Sequence, residues 1–404
     1  MNSKRQIYLK ENSQEALRDI QRLVLDFDGV IVQTKDSFRK NIVRVVDYYF
    51  HDIMGLDDER SLLIDLGDVQ DFKDSGMFNN DWNLTYAFIL YHLAAILRLI
   101  EARGALPEFW RRFGSFRFRD LPTTVNCLKE VGGYINSLRI STRRLSSEKS
   151  DTRFGLSSFL SRSRGGDRKF IEESIETFLP EPQDRWLSLI KEIALYKDEG
   201  SDIVKRLFEE SYLGIDLFKT FHKTEPFFNF EESFMLRESF IPTVETLETL
   251  KVRFGPLLIY SERTKAQALY HLRRSEAVNF FSENMIFFDD ILELEKSLNR
   301  SLTGQRVQLG KPDPTVFLNL LKRTSSGDFP VAYVGDTIAD ALMVENAKRR
   351  GRRNLLFFGL ICSSHKPNRL VKKYKAMGVD VIATDMNDLP LIFASLEEWK
   401  GGEA

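Results

Sequence analysis

Two carboxylates, two residues apart, stand at the end of an apolar run in the stretch LVLDFDGVIVQT, residues 23–34. Asp26 and Asp28 flank Phe27, and Gly29 follows at once, so the chain can turn there. Carboxylates beside the end of a buried strand are costly unless a cation or a substrate uses them. This spacing therefore makes the turn a candidate chemical site.

Further polar residues follow other predicted strands. Ser261 comes directly after PLLIY, Asp336 follows VAYVG, and Asp340 lies one helical turn further on. Lys311 lies in the loop sequence LGKPDP, at the start of a predicted helix. Ligands of open α/β sheets bind outside the carboxyl ends of the strands. We therefore expect these four side chains to converge on the two aspartates of the first turn.

The predicted cluster has the composition of a magnesium site. Asp26, Asp28 and Asp336 would repel one another without a cation. Carboxylate oxygens without a nearby His or Cys suit Mg²⁺, which usually shares its coordination shell with phosphate and water.

The remaining groups suit a phosphate ester. Ser261 can donate a hydrogen bond to a phosphate oxygen, and Lys311 supplies a positive charge that also lowers the pKa of a neighbouring aspartate. Backbone N–H groups of the turn around Gly29 can line the rest of an anion site. Asp26 is then a plausible nucleophile toward phosphorus. Asp28 can protonate the leaving alcohol and afterwards activate water.

The elements that must position these residues alternate regularly after residue 240. The predicted strands are separated by helical patterns, which indicates a parallel sheet with helices on both faces. Their continuous apolar runs are typical of strands buried on both faces. We predict strands at 23–28 and in PLLIYS, MIFFDD, VAYVGD, NLLFFGL and VDVIAT.

Between the first strand and residue 240 the pattern is mostly helical. Residues 82–97 form the longest uncharged run, which falls short of the ~20 apolar residues of a membrane span, so we predict a buried helix. Residues 139–168 are rich in Ser and Arg and poor in apolar residues, which predicts a mobile loop; a nucleic-acid-binding arm is the less favoured interpretation.

The bulk composition does not favour a nucleic-acid-binding protein or one that depends on disulfide bonds. The 404 residues are 43% apolar and 29% charged with a net charge of −1, which is ordinary for a globular protein and does not favour nucleic acid as a partner. Cys127 and Cys362 lie far apart, which favours a reducing compartment. The polar N-terminal stretch does not resemble a signal peptide. We expect a cytoplasmic protein without a membrane anchor.

Four motifs in order carry a family resemblance. DFDGVIVQT, YSERT, GKPDP and GDTIAD resemble the motifs of the haloacid dehalogenase superfamily, over roughly residues 23–34 and 241–390. The resemblance implies a Rossmann-like parallel sheet core made of residues 1–34 and 241–404. Residues 35–240 then resemble the helical cap of the phosphoglycolate phosphatase and β-phosphoglucomutase branch. This insert is larger than the usual cap, so its extra part is predicted to be a further subdomain or a homo-oligomer surface.

The resemblance also implies a role for each motif residue. An acid at position 28 argues against dehalogenation. The resemblance implies that Asp26 is the nucleophile, which becomes a phosphoaspartate and also binds the metal. Asp28 is implied to be the general acid/base and a metal ligand through its backbone carbonyl. Ser261 and Lys311 are implied to hold the phosphoryl group, and Asp336 to be the second carboxylate ligand of Mg²⁺, supported by Asp340.

Substrate selection is expected from the insert. The stretch FKDSGMFNNDWNLTYAF, residues 72–88, is dense in polar and aromatic side chains, and Lys73, Asn80, Asp81 and Trp82 are candidate substrate-binding residues. The alternative is that Asn80 or Asp81 caps the helix that follows. Arg263, after Ser261, could reach a second anionic group of the substrate or cap its own helix.

The combined expectation is a Mg²⁺-dependent phosphohydrolase that acts on a small phosphorylated metabolite. Closure of the insert would exclude bulk water during the first step. A phosphomutase would use the same residues. A binding or scaffolding protein that keeps the fold is the alternative from a different class, and the complete set of polar motif residues argues against it.

Overall fold

The computed structural model describes residues 7–10, 13–56, 61–117, 120–194, 203–300, 307–324 and 329–398. The chain divides into two compact units. Unit 1 consists of Met1–Lys35 and Glu238–Ala404, and unit 2 of Asp36–Arg237. These boundaries lie one and three residues from the expected ones. The difference arises because the two stretches that link the units pair with each other as short strands.

Unit 1 contains every strand of the described chain. A six-stranded sheet has the strand order β1-β8-β7-β6-β2-β5, and β3 pairs with β4 in a separate two-stranded sheet. Pairing in the large sheet is parallel except between β1 and β8. The strands are β1 (Tyr8–Leu9), β2 (Arg22–Leu25), β3 (Val32–Gln33), β4 (Ser239–Phe240), β5 (Leu258–Ile259), β6 (Val331–Gly335), β7 (Leu355–Leu360) and β8 (Val381–Ala383).

Helices pack around the sheet and make up most of unit 2. The sequence of unit 1 supplies α1 and α12 to α18, and unit 2 supplies α2 to α11. In chain order they are α1 (Gln14–Arg18), α2 (Phe38–Tyr48), α3 (Leu66–Lys73), α4 (Asp81–Glu101), α5 (Leu106–Phe113), α6 (Leu121–Ser137), α7 (Thr142–Glu148), α8 (Leu156–Arg162), α9 (Arg168–Glu176), α10 (Gln183–Ala194), α11 (Ile203–His222), α12 (Val244–Phe254), α13 (Lys265–Arg274), α14 (Phe288–Arg300), α15 (Thr315–Thr324), α16 (Ile338–Arg349), α17 (Pro367–Met377) and α18 (Leu389–Glu398).

The large sheet is buried on both faces. Along β2, Leu23 and Leu25 belong to one apolar cluster and Val24 to a second. Successive side chains of a strand point to opposite faces, so the two clusters are the two cores of unit 1. Every residue of β6 and β7 is buried, as expected for parallel strands covered by helices.

Strand register brings the predicted polar residues to one edge. Leu25 of β2 lies opposite Ile259 of β5 and Val334 of β6. The chain segments that follow these three positions therefore leave the sheet side by side. Asp26 is next after β2, and Asp336 is next after β6.

Unit 2 is built around α4. Of its 21 residues, 16 are buried, and the Asn80 side chain caps the helix by accepting a hydrogen bond from the backbone N–H of Asn83 at 3.0 Å. The helix is long and apolar enough to cross a membrane, but 89% of its most apolar window is buried inside the protein. The prediction of a buried helix is confirmed.

Two element predictions need correction. Residues 139–168 do not form one long loop, because α7 and α8 lie within them. Leu145 of α7 and Leu156 and Phe159 of α8 are buried and anchor the two helices. In MIFFDD, Ile286 makes an isolated bridge with Tyr260, and α14 begins already at Phe288. A short apolar run does not distinguish a strand from the start of a buried helix.

Candidate functional site

Asp26 begins the turn after β2 and is nearly buried, at 6% exposure. Its backbone N–H donates to the carbonyl of Val334 at 2.9 Å, which continues the sheet by one residue. Its Oδ1 accepts a hydrogen bond from the N–H of Phe27 at 2.7 Å, and its Oδ2 lies 2.8 Å from Nζ of Lys311. Both carboxylate oxygens are thus fixed by unit 1.

Lys311 connects two carboxylates from different elements. Its Nζ lies 2.8 Å from Asp26 and 2.8 Å from Oδ1 of Asp340. The rings of Tyr260 and Tyr333 are each centred 5.4 Å from the ammonium group. Such a charge is tolerable in a buried site because it is paired and lies against two aromatic faces.

Asp336 and Asp340 complete an acidic cluster. Oxygens of Asp26, Asp336 and Asp340 all lie within 4.8 Å of one another, and all three residues are buried. Asp340 also forms a capping box at the start of α16, because its Oδ2 accepts from Thr337 Oγ1 at 2.6 Å and from Thr337 N–H at 3.0 Å. Tyr333 donates to Asp340 Oδ1 at 3.3 Å.

Ser261 lies at the same edge of the sheet. The N–H of Tyr260 donates to the carbonyl of Leu25 at 3.0 Å, so Ser261 leaves the sheet next to Asp26. Ser261 is 1% exposed, and its Oγ accepts a hydrogen bond from the N–H of Arg263 at 3.3 Å. The hydroxyl hydrogen can still be donated, which is what its predicted role toward a phosphate oxygen requires.

The electrostatics of the cluster favour added positive charge. Burial raises the pKa of Asp26 to about 7; Lys311 lowers it, but Asp340 and Asp28 raise it. Burial alone would lower the pKa of Lys311, but Asp26 and Asp340 outweigh burial and raise it well above its usual value. One ammonium group therefore does not compensate all the carboxylates of the cluster.

The strand order brings four predicted positions to one edge of the sheet, namely Asp26, Ser261, Lys311 and Asp336. The chain has a mixed α/β fold in which helices pack around a mostly parallel six-stranded sheet. The expected fold class is confirmed: unit 1 has a six-stranded, mostly parallel core sheet, and the helical unit 2 is inserted in the sequence between β3 and β4.

Comparisons with solved structures found several similar chains. Northeast Structural Genomics Consortium target ZR25 matches with a TM-score of 0.58 at 17% identity, covering 94% of this chain and 100% of that chain. Phosphatase Tt82 from Thermococcus thioreducens matches with a TM-score of 0.42 at 19% identity, over 83% and 90%. A conserved haloacid dehalogenase-like protein from Agrobacterium tumefaciens matches with a TM-score of 0.36 at 11% identity, over 94% and 99%. No protein-family model and no curated protein matches the sequence.

Gly29 has a different role from the predicted one. Its N–H donates to the carbonyl of Val32 at 2.8 Å and closes the turn, so it is not directed at a phosphate. Its φ is +73°, and a Cβ there would lie 2.0 Å from Oδ2 of Asp336. Gly29 therefore allows the Asp336 carboxylate to approach the turn after β2.

Asp28 and Arg263 form a buried charge network with Glu238 and His271. Arg263 Nε donates to Oδ1 of Asp28 at 2.6 Å, and its Nη1 and Nη2 lie 2.9 and 3.1 Å from the two oxygens of Glu238. His271 Nε2 lies 2.9 Å from Glu238 Oε2. Burial alone would raise the pKa of Glu238, but Arg263 and His271 outweigh burial and lower it. The structure thus directs Arg263 to protein carboxylates, which corrects its predicted position at a second anionic group.

The candidate substrate-binding residues of unit 2 bind one another or their neighbours. Lys73 Nζ lies 2.8 Å from Oδ1 of Asp81, and Trp82 Nε1 donates to Glu209 at 3.2 Å. Asn80 is the helix cap that the alternative interpretation described. A role of these four residues in substrate binding stays a prediction.

Sequence reasoning missed several residues that organise the site. Glu262 accepts a hydrogen bond from the N–H of Lys311 and so joins the loop after β5 to the lysine loop. Thr337 could have been found, because Thr three residues before Asp340 is a capping-box signal. Glu238 and His271 lie outside the motifs, and no local signal marks them.

The donor set fits Mg²⁺. Asp26 and Asp336 offer carboxylate oxygens, and no His or Cys belongs to the acidic cluster among the described residues. The oxygens of Asp340 already accept hydrogen bonds from Thr337 and Tyr333 and face Lys311, which suits its predicted supporting role. Asp28 is outside this carboxylate cluster, and ligation through its backbone carbonyl stays a prediction.

Proposed function

We propose that the protein is a Mg²⁺-dependent phosphohydrolase that cleaves a phosphate monoester through a covalent intermediate on Asp26. One observation carries this proposal: the buried Asp26 carboxylate lies 2.8 Å from Lys311 and within 4.8 Å of Asp336. One edge of the sheet thereby combines a nucleophile (Asp26), a cation for the phosphoryl group (Lys311) and an oxygen donor for Mg²⁺ (Asp336).

In the first step, a carboxylate oxygen of Asp26 attacks phosphorus. A new P–O bond forms to Asp26, the P–O bond of the ester breaks, and the leaving alcohol takes a proton from Asp28. Lys311 and Ser261 hold the phosphoryl oxygens during this transfer. Asp26 and Asp336 would hold Mg²⁺, which when bound neutralises part of the negative charge between the carboxylates and the phosphoryl group.

In the second step, water attacks the phosphoaspartate. Asp28 accepts a proton from that water, the bond between Asp26 and phosphorus breaks, and inorganic phosphate is released. This returns Asp26 to its carboxylate form and Asp28 to its protonated form. The hydrogen bond from Phe27 to Asp26 keeps the carboxylate in place through both steps.

The substrate class in this proposal is a small phosphorylated metabolite in the cytoplasm. The two cysteines, Cys127 and Cys362, are unpaired with each other, which is consistent with a reducing compartment.

The deciding experiment measures phosphate release from p-nitrophenyl phosphate and a panel of phosphorylated metabolites, with Mg²⁺ and with EDTA. We expect Mg²⁺-dependent release by the wild type. Asp26→Asn should lower kcat by at least ~10³-fold, as expected for a removed nucleophile. Its circular dichroism spectrum should match that of the wild type.

Other outcomes would redirect the assignment. Undiminished turnover by Asp26→Asn would rule out the nucleophile. An isomerised sugar phosphate without free phosphate would identify a phosphomutase. If no compound in the panel reacts and a protein partner binds the Asp26→Asn variant normally, the scaffold alternative gains support.

A further inference from the structure

Asp28 accepts a hydrogen bond from a buried arginine, Arg263. Its Oδ1 accepts the hydrogen bond from Arg263 Nε at 2.6 Å. The Arg263 side chain is 0% exposed, whereas that of Asp28 is 29% exposed. The arginine therefore cannot swing into solvent, and part of the Asp28 carboxylate remains accessible to a substrate or to water.

Glu238 fixes the arginine in turn. Nη1 of Arg263 lies 2.9 Å from Glu238 Oε2, and Nη2 donates to Oε1 at 3.1 Å. Both side chains are 0% exposed. The hydrogen bonds from Nε to Asp28 and from Nη2 to Glu238 together set the plane of the guanidinium group as well as its position. The ring of Phe27 is centred 5.4 Å from Cζ of Arg263 and limits its movement on another side.

Glu238 is itself anchored at two places. His271 of α13 lies 2.9 Å away. Along the chain, Glu238 directly precedes β4, whose Ser239 pairs with Gln33 of β3. The network thus runs from α13 and the linking strands through a buried carboxylate and a buried arginine to Asp28.

Stability alone is a weak explanation for this arrangement. A buried ion pair is often no more stabilising than apolar residues of the same volume, because both charges must be removed from water. What an apolar pair would not provide is a charged hydrogen bond to the Asp28 carboxylate. We propose that Arg263 and Glu238 are positioning residues that hold Asp28 in the orientation needed for its proton transfers. This inference rests on the proposed function.

Two substrates of nearly equal shape test the assignment. Phenyl phosphate has a more basic leaving group than p-nitrophenyl phosphate and therefore depends more on protonation by Asp28. The value of kcat/KM includes steps up to the first irreversible one, so it reports on cleavage of the ester bond. The readout is the ratio of kcat/KM for the two esters in each variant.

The main variant is Arg263→Met/Glu238→Leu, which removes both charges and leaves no unpaired buried charge between them. We expect kcat/KM for phenyl phosphate to fall at least about tenfold more than that for p-nitrophenyl phosphate, since a positioned acid contributes 10²–10⁴-fold. Arg263→Lys is the second variant. It keeps a cation beside Glu238 but cannot form the fork to two carboxylates, so the ratio should shift in the same direction.

Controls separate the possible failures. Arg18→Met removes an arginine whose Nε donates to the carbonyl of Leu396 in unit 1, and the ratio should stay at the wild-type value. Melting curves show whether each variant folds. If the double variant does not fold, the ratio measured for Arg263→Lys decides whether Arg263 positions Asp28. An equal fall with both esters, or an unchanged ratio, overturns the positioning role while the proposed function stands. If the wild type releases no phosphate from these esters or from any metabolite of the panel, the proposed function fails and this inference fails with it.

Discussion

At the scale of single residues, we expect Asp26 to make the affinity for Mg²⁺ depend on pH. Burial raises its pKa to about 7, so at that pH about half of the molecules carry a proton there when no cation is bound. A cation that uses Asp26 must displace this proton. We expect the affinity for Mg²⁺ to fall about tenfold per pH unit below about pH 7, and to become constant well above it.

Titration calorimetry of the whole chain with Mg²⁺ between about pH 5.5 and 8.5 measures this dependence. Asp26→Asn is the control, because an amide does not titrate. Its Mg²⁺ affinity should be lower at high pH and much less sensitive to pH. An affinity of the wild type that does not change over this range would contradict the assignment of Asp26 as a ligand.

Residue types and spacing predicted much of the site. Asp26, Asp336 and Lys311 come together because strand ends and a loop converge at one sheet edge, which the alternation of strands and helices already indicated. Glu238 was not predicted, because it approaches Arg263 only through the pairing of the linking strands. Contacts between residues 25 apart in sequence without a common motif depend on tertiary structure.

Gly29 gives a second prediction at this scale. An alanine there would require a positive φ and would place Cβ 2.0 Å from Oδ2 of Asp336. We expect Gly29→Ala to lose about 1–3 kcal/mol of unfolding free energy and most of the rise in melting temperature that Mg²⁺ produces.

The matched control is Gly255→Ala. Gly255 also has a φ of +73°, but nothing lies within 4 Å of a Cβ built there. This variant should show the backbone cost alone and keep the Mg²⁺ response. If both variants respond to Mg²⁺ like the wild type, the close approach to Asp336 is not needed for the cation site.

At the scale of elements, α4 contains a buried histidine that should make unit 2 sensitive to acid. His92 is 0% exposed, and among the described residues neither ring nitrogen has a hydrogen-bond partner. The rings of Phe50 and Tyr91 are centred 5.8 and 5.0 Å from the imidazole ring. Burial, together with the positive charges of Lys149 and Arg98, lowers the pKa of His92 to about 3.

The direction in which the unfolding free energy changes with pH follows from the folded and unfolded pKa values of His92. The folded pKa of His92 is below that of the unfolded chain, 6.5, so the unfolded state takes up the proton first. The contribution of His92 is fully present above about pH 6.5 and is lost progressively as pH falls toward 3. By pH 5 the loss should be about 2 kcal/mol.

Urea unfolding of the wild type and of His92→Leu at about pH 7.5 and pH 5 tests this prediction. The difference in unfolding free energy between the two proteins should change by about 2 kcal/mol in favour of the variant at the lower pH. Comparing the change, not the absolute values, removes the packing effect of leucine. Parallel pH curves for the two proteins would show that His92 does not titrate on unfolding.

The helices of residues 139–168 show what sequence patterns miss at this scale. Leu145 is the one apolar residue of α7, and Leu156 and Phe159 form a single i, i+3 pair in α8, which is too little for a periodic signal, yet each is buried. The start of α7 is also capped: Ser141 Oγ accepts a hydrogen bond from the N–H of Arg144 at 3.3 Å. Short helices of this kind derive their stability from tertiary packing, which composition does not show. The long helix α4 was predictable because residues 82–97 form one long, mostly apolar run without a charge.

At the scale of the whole molecule, the two units should be separable. Every residue of the proposed active site, including Asp26, Ser261 and Asp336, belongs to unit 1, which has its own two apolar clusters. Gln33 of β3 and Ser239 of β4 are register partners in an antiparallel pair, so the chain leaves and re-enters unit 1 at adjacent positions. Replacing Asp36–Arg237 by Asn-Gly would close these strands into an ordinary β-hairpin with a short loop.

We expect this shortened chain to fold cooperatively and to bind Mg²⁺, because the acidic cluster and Lys311 remain complete. Thermal unfolding followed by circular dichroism, with and without Mg²⁺, measures both properties. The same chain with Asp26→Asn should fold but show little shift in melting temperature with Mg²⁺. A shortened chain without a cooperative transition would mean that unit 1 depends on unit 2 for stability, and that the sheet core alone does not form the cation site. A cooperative transition without a Mg²⁺ effect would instead locate a missing ligand in unit 2.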